Sequence, residues 1–257
     1  MNYNDIIEDV IEIAQKAGEV ILEVYNSNDF ETQLKSDNSP LTIADQKAND
    51  VIINALKAKY PNVPFITEEE KAMDYSQRKN WEYLWLVDPL DGTKEFIKRN
   101  GEFTVNIALV KNGKVELGVV YIPVQNKTYH AHKGSGSFVI DAKGKHRINV
   151  KARTQDLLKL VGSRSHPSDD FIEYIEKQKK DYTQVEVLPY GSSLKICMVA
   201  EGKADVYPRL GPTMEWDTGA AHIIAEEAGA TVTIAGSDEP LNYNKENLLN
   251  PYFIVSN

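Results

Sequence analysis

A single cysteine, Cys197, occurs in this chain of 257 residues, so no internal disulfide can staple the fold. Its surroundings, Leu194-Lys195-Ile196-Cys197-Met198-Val199, read as a buried helix face, where a thiol is an inert apolar group. No apolar run is long enough to span a bilayer, and residues 1–10 are polar and acidic, without the basic and apolar parts of a signal peptide. A cytoplasmic location is the expectation. No basic amphipathic helix is in view to cause peripheral membrane association, which the sequence leaves open. Positive charge is scarce as well: 29 Lys and Arg stand against 38 Asp and Glu, a formal net charge of −9, which argues against a general nucleic-acid surface. An acidic protein that takes an anionic substrate must supply local positive charge, from bound cations or a few placed basic side chains. Apolar residues, at 42%, are not scarce, and they suffice for a substantial core in one large domain or two closely joined halves.

Periodicity places the elements. Ile6, Val10, Ala14, Ala17, Ile21 and Val24 recur at helical spacing, and a second helix is expected over 42–59, stopped by Pro61. Strands are expected at 65–67, 83–87, 103–110 and 115–121, the last two joined by a hairpin at Lys111-Asn112-Gly113-Lys114. From residue 157 strands and helices alternate: strand 157–162, helix 167–179, strand 184–188, helix 192–201, strand 204–207, helix 217–228, then strands 231–234 and 252–255. The fold class is therefore α/β (α+β), with an N-terminal α+β half over 1–145 and a C-terminal α/β half over 146–257. The seam is expected in 141–155, a polar, basic stretch without clear periodicity.

The chemistry concentrates in Asp88-Pro89-Leu90-Asp91-Gly92-Thr93, which follows an apolar strand and precedes a helix-compatible stretch, 94–99. Pro89 suits a turn, and Gly92 lets the backbone bend so that free N–H groups of the next helix point outward, an arrangement that attracts phosphate. Two carboxylates beside a phosphate repel it unless divalent cations lie between, and hard oxygen ligands suit magnesium. Other acids have simpler explanations of their own. Glu68-Glu69-Glu70 could be solvated charge, Asp217 an N-cap, and Asp45 the partner of Thr42 in a capping box.

Taken together, Ser39-Pro40-Leu41-Thr42-Ile43-Ala44-Asp45, Thr67-Glu68-Glu69, Asp88-Pro89-Leu90-Asp91-Gly92-Thr93 and Trp216-Asp217 resemble the ordered signature of the inositol monophosphatase superfamily. The segments 85–99, 100–110, Ser163-Arg164-Ser165-His166 and Gly191-Ser192-Ser193-Leu194-Lys195 are similar to its 3'(2'),5'-bisphosphate nucleotidase branch. The resemblance implies a layered α-β-α-β-α sandwich and a lithium-sensitive phosphomonoesterase using two or three magnesium ions. It implies Glu68, Asp88, Asp91 and Asp217 as side-chain metal ligands and the Leu90 carbonyl as a backbone ligand. By the same resemblance Thr93 orients or helps deprotonate the attacking water, Asp45 accepts from the Thr93 hydroxyl, and Glu68 assists. The Gly92 and Thr93 backbone N–H groups hold phosphate, and Asp217 contacts substrate as well.

Specificity is expected in the second half. The inositol-selective branch carries an acid seven residues before the last metal ligand, and this chain has Leu210 there. The nucleotidase pattern implies instead that His166, Ser192, Lys195 and Arg209 bind the nucleotide, the basic groups near its 5'-phosphate. The alternatives are that Lys195 is an exposed helix residue, Arg209 a surface charge and His166 a loop or cap residue beside Pro167. The expected reaction is hydrolysis of the 3'-phosphate of adenosine 3',5'-bisphosphate to AMP and phosphate, with action on 3'-phosphoadenylyl sulfate possible. Its metabolic setting would be removal of a by-product of sulfate activation. An inositol or sugar phosphatase, and a magnesium-dependent nucleotide-binding protein without turnover, are the alternatives. A monomer and a homodimer are both compatible with the sequence.

Overall fold

The apolar stripe of the first helix decides where the chain begins to pack. In the computed structural model, which describes residues 1–27, 33–34, 40–163 and 168–257, α1 (Tyr3–Asn26) buries Ile6, Val10, Ala14, Ala17, Ile21 and Val24. After the short pair β1 (Gln33–Leu34) and β2 (Pro40–Leu41), helix α2 (Ile43–Lys59) lies against α1. Thr42 caps α2 as expected: its Oγ1 accepts from the Ala44 N–H at 3.2 Å, while Asp45 Oδ2 accepts from the Thr42 N–H at 2.7 Å.

A seven-stranded sheet follows, built from β3 (Phe65–Thr67), β4 (Tyr83–Asp91), β5 (Thr104–Lys111), β6 (Lys114–Ile122), β7 (Lys127–His132), β8 (Ser137–Asp141) and β9 (Gly144–Ile148) in sequence order. Only β3 and β4 run parallel; every other neighbouring pair is antiparallel. The short helices α3 (Tyr75–Arg78) and α4 (Thr93–Ile97) sit in its connections. Asn112 and Gly113 both take positive φ, 49° and 78°, and close the expected β5–β6 hairpin with the twist that suits two strands.

The second sheet comprises β10 (Leu157–Ser163), β11 (Gln184–Tyr190), β12 (Val206–Arg209), β13 (Thr231–Ile234) and β14 (Phe253–Ser256), in the order β11-β10-β12-β14-β13. Helices α5 (Asp169–Gln178), α6 (Leu194–Ala200) and α7 (Glu215–Glu227) complete the chain. Trp85, Val87, Ile107, Leu109 and Val119 face α1 and α2. Leu84, Leu86, Ala108, Val110 and Val120, from the other face of the same sheet, share a core with α6, α7 and the second sheet. Leu158, Leu160 and Val206 pack beneath Tyr174 and Ile175 of α5. The order of layers is α-β-α-β-α. A close approach sets the middle one: a Cβ on Gly118 of β6 would lie 2.2 Å from the Ala220 carbonyl oxygen of α7.

Three strands, β7, β8 and β9, escape the periodicity. The expected division after residue 145 falls inside β9, and the chain passes between sheets over 149–156. β9 is an edge strand exposed at all positions but Ile148, so it carries no alternating apolar signal. The turn expected at Pro89 is instead part of β4. Asp88 pairs with Asn106 and Asp91 with Thr104, so β4 holds one extra residue there, a bulge.

Candidate active site

The bulge has a chemical consequence. In a regular strand, residues three apart point to opposite faces; one inserted residue turns Asp88 and Asp91 to the same side, where Asp88 feels the charge of Asp91. Parallel pairing brings the third acid: Thr67 is level with Val87, and the Glu68 N–H donates to the Val87 carbonyl at 3.1 Å, setting Glu68 beside Asp88. The fourth arrives from the second half on α7, whose first turn is anchored by buried Glu215. That carboxylate accepts from the Asn244 and Lys245 N–H groups and from Lys245 Nζ. One oxygen from each of Glu68, Asp88 and Asp217 lies within 4.8 Å of the others.

This convergence is unfavourable without a counter-charge. Burial, then the charges of Glu68, Asp91 and Asp217, push the Asp88 carboxyl well above its usual range. Asp217 is pushed up to about 8 by burial and by Asp91, against the pull of the Met214 N–H, which donates to Oδ2 at 2.9 Å. Asp91 is pushed up to about 6 by burial, opposed by Lys195 and by the Ser193 N–H, which donates to its Oδ2 at 2.5 Å. Asp88 Oδ1 accepts from the Leu90 N–H at 3.0 Å, whereas its Oδ2 is buried with no donor facing it among the described residues. Clustered hard oxygens with an orphaned lone pair fit a divalent cation.

Asp45 serves two structures at once. While Oδ2 holds the start of α2, Oδ1 accepts from the Thr93 hydroxyl at 3.2 Å, so one side chain makes both the helix cap and the contact with Thr93. Thr93 Oγ1 also lies 3.5 Å from the Leu90 carbonyl oxygen. Gly92, at φ +95°, caps α4 and faces Ser192 across the cleft.

Asp91, Gly92, Ser192, Lys195, Arg209 and Asp217 line one cleft. Lys195 is buried rather than exposed, donates to the Ser192 carbonyl at 2.7 Å, and is pushed down to about 8 by burial against the pull of Asp91. Arg209 donates through Nη2 to the Pro212 carbonyl at 2.6 Å, and its buried Nε has no acceptor among the described residues. His166 lies outside the described residues, as do Arg164, Ser165 and Pro167, where the expected start of α5 falls. Cys197 is fully buried, and burial pushes its thiol up, as its apolar surroundings imply. The sequence reading passed over Ser193, whose Oγ bonds Asn106 and Thr104 of β5 at 2.8 and 2.9 Å while its N–H holds Asp91. Tyr207, Thr213 and Glu95, also unselected, line the same cleft.

Five alternating layers, with acids following β3, within β4 and on α7 brought together, define the fold class of the sugar-phosphate phosphatases. The chain belongs to the inositol monophosphatase family, whose model matches residues 2–256. It is 44% identical over 253 residues to the 3'(2'),5'-bisphosphate nucleotidase CysQ of Escherichia coli K12, covering 98% of this chain and 99% of that one. Among solved structures, CysQ from Bacteroides thetaiotaomicron, described as a bacterial member of the inositol monophosphatase family, superposes with a TM-score of 0.89 at 48% identity, covering 99% of this chain and 98% of that one. An IMPase from Thermotoga maritima superposes at 0.78 and 28% identity, covering 100% and 92%. No helix among the described residues is long and apolar enough to cross a membrane.

Proposed function

We propose that this protein is a magnesium-dependent 3'(2'),5'-bisphosphate nucleotidase. It hydrolyses the 3'-phosphate of adenosine 3',5'-bisphosphate to AMP and phosphate, and 3'-phosphoadenylyl sulfate is a second substrate of the same chemistry. The observation that carries the reading is one cleft lined both by Asp91 and Asp217, carboxylates pushed up by burial and then by neighbouring acids, and by two basic side chains, Lys195 and Arg209. The extensive identity to CysQ nucleotidases supports the choice of substrate.

Glu68, Asp88, Asp91, Asp217 and the Leu90 carbonyl would hold two or three magnesium ions. Bound there, magnesium neutralises phosphate oxygens and acidifies water. Thr93 donates its hydroxyl proton to Asp45 Oδ1, which turns the Thr93 lone pairs toward the attacking water. Glu68 assists in taking the water's proton. The water oxygen bonds to phosphorus as the P–O bond to the 3' carbon's oxygen breaks; that oxygen keeps the bonding pair and takes a proton from solvent water to become the 3'-hydroxyl of AMP, with the Gly92 and Thr93 N–H groups holding phosphate oxygens. Lys195 and Arg209 answer the second phosphate, the 5' dianion. Ser192 and His166 complete the nucleotide contacts. Leu210 offers no acceptor for ring hydroxyls, which argues against an inositol phosphate as the preferred substrate.

Phosphate release from adenosine 3',5'-bisphosphate and inositol 1-phosphate, each with and without magnesium, tests the reading. A strong, magnesium-dependent preference for the nucleotide is expected. Preference for inositol phosphate would overturn the specificity argument, and turnover unchanged in a chelator would overturn the metal site.

A further inference from the structure

Glu95 is left over once the cleft's other charges have been assigned. Asp91 is held by the Ser193 N–H, Asp217 by the Met214 N–H, Lys195 by the Ser192 carbonyl and Arg209 by the Pro212 carbonyl. Glu95 lines the same cleft, yet its carboxylate has no hydrogen-bond or ion-pair partner among the described residues. It sits on α4 three residues after Gly92, hence on the same side of that short turn. Across the cleft its Cγ lies 2.9 Å from where a Cβ on Gly191 would be, so the backbone at Gly191 gives way to it. Its charge reaches both Asp91 and Lys195.

A free carboxylate beside a phosphate position repels the substrate unless the substrate brings a donor to it. The phosphoryl oxygens of a dianion cannot donate, and the donor must lie close to the scissile group, because Gly92 and Glu95 share one turn. We infer that Glu95 is a specificity-determining residue that accepts a hydrogen bond from a hydroxyl vicinal to the scissile phosphoester. The inference rests on the phosphomonoesterase reading above and deepens it. Ribose phosphorylated at the 2' or 3' position carries that hydroxyl on the neighbouring carbon, and deoxyribose does not. The protein therefore reads the sugar at the reacting end of the nucleotide, separately from the 5'-phosphate that Lys195 and Arg209 hold.

The test compares kcat/KM for adenosine 3',5'-bisphosphate and 2'-deoxyadenosine 3',5'-bisphosphate in the wild type, Glu95→Ala and Glu95→Gln. A second pair, inositol 1-phosphate and cyclohexyl phosphate, contrasts a vicinal hydroxyl with none. The wild type is expected to favour the hydroxylated member by ~10-fold to 100-fold, the range of a hydrogen bond to a charged group. In Glu95→Ala the preference falls to within about threefold, through loss on the hydroxylated member and no loss on the other, whose repulsion by the carboxylate is relieved, and Glu95→Gln, a neutral acceptor of the same shape, retains part of it. Equal turnover of both members by the wild type overturns the inference. So does a preference unchanged in Glu95→Ala, or an equal loss on both members, which would mark a general electrostatic role. Failure of the nucleotide reading appears differently, as inositol phosphate turned over in place of the nucleotides, and the second pair then tests Glu95.

Discussion

Removing divalent metal and raising the pH is expected to weaken this protein, in the direction opposite to ordinary acid denaturation. Asp217 is the clearest contributor. Its carboxyl titrates near 3.8 in an unfolded chain and is pushed up to about 8 in the metal-free fold. A raised value means that the folded state holds the proton more tightly. The contribution to stability is therefore fully present below about pH 3.8 and is lost as pH rises through about 8. At ~1.4 kcal/mol for each tenfold in proton affinity, the rise corresponds to ~6 kcal/mol. Water entering the cluster and a proton held in turn by Asp88 or Asp91 reduce it; half, ~3 kcal/mol, is roughly 6–12 °C of melting temperature for a chain of this size. Thermal unfolding in a chelator, followed from about pH 5 to about pH 8, is expected to show that decline, and excess magnesium to reverse it by an amount that grows with pH. Asp217→Asn should make the chelator curve shallower, leaving the part owed to Asp88 and Asp91, while keeping the Met214 contact, since its amide oxygen still accepts. A chelator curve that stays flat, or a decline of undiminished size in Asp217→Asn, would refute the electrostatic account of the cluster.

Other substitutions probe separate parts of the site and its support. Thr93→Val, which loses the hydroxyl facing Asp45 while keeping the shape, is expected to lower kcat by ~10²–10⁴ with melting temperature little changed; near-normal turnover would remove Thr93 from the chemistry. Asp91→Asn should cut hydrolysis by orders of magnitude, with circular dichroism retained, because a charge that stabilises the transition state is lost. Gly118→Ala forces a methyl against the Ala220 carbonyl and is expected to destabilise by ~1–3 kcal/mol in denaturant unfolding, with metal affinity reduced through the displaced α7.

Much of the architecture was legible because it rests on local signals. Thr42 before an apolar-periodic segment, Asn112-Gly113 between two apolar runs, and Asp88 to Thr93 between strand and helix each carry their physical reason within a few residues. The β7 to β9 extension was not legible, because Lys127, Thr128, His130 and the exposed positions of β9 interrupt the alternation that marks a half-buried strand. Lys195, expected to bind the nucleotide with an exposed helix position as the alternative, proved buried, because the turn at Ser192 and Ser193 tucks the whole of α6 between the sheets.

What the sequence determined by itself was the inventory: which acids exist, which segments become strands and helices, and the family whose motif order they share. Tertiary structure alone decided what those acids do to one another. The bulge after Asp88, the parallel pairing of β3 with β4 and the close seat of α7 on Gly118 bring side chains from residues 68, 88 and 217 within 4.8 Å, separations that no local pattern encodes. Mutual repulsion falls steeply with distance and grows with burial, so the charge that makes the cluster want a cation exists only once the chain has folded.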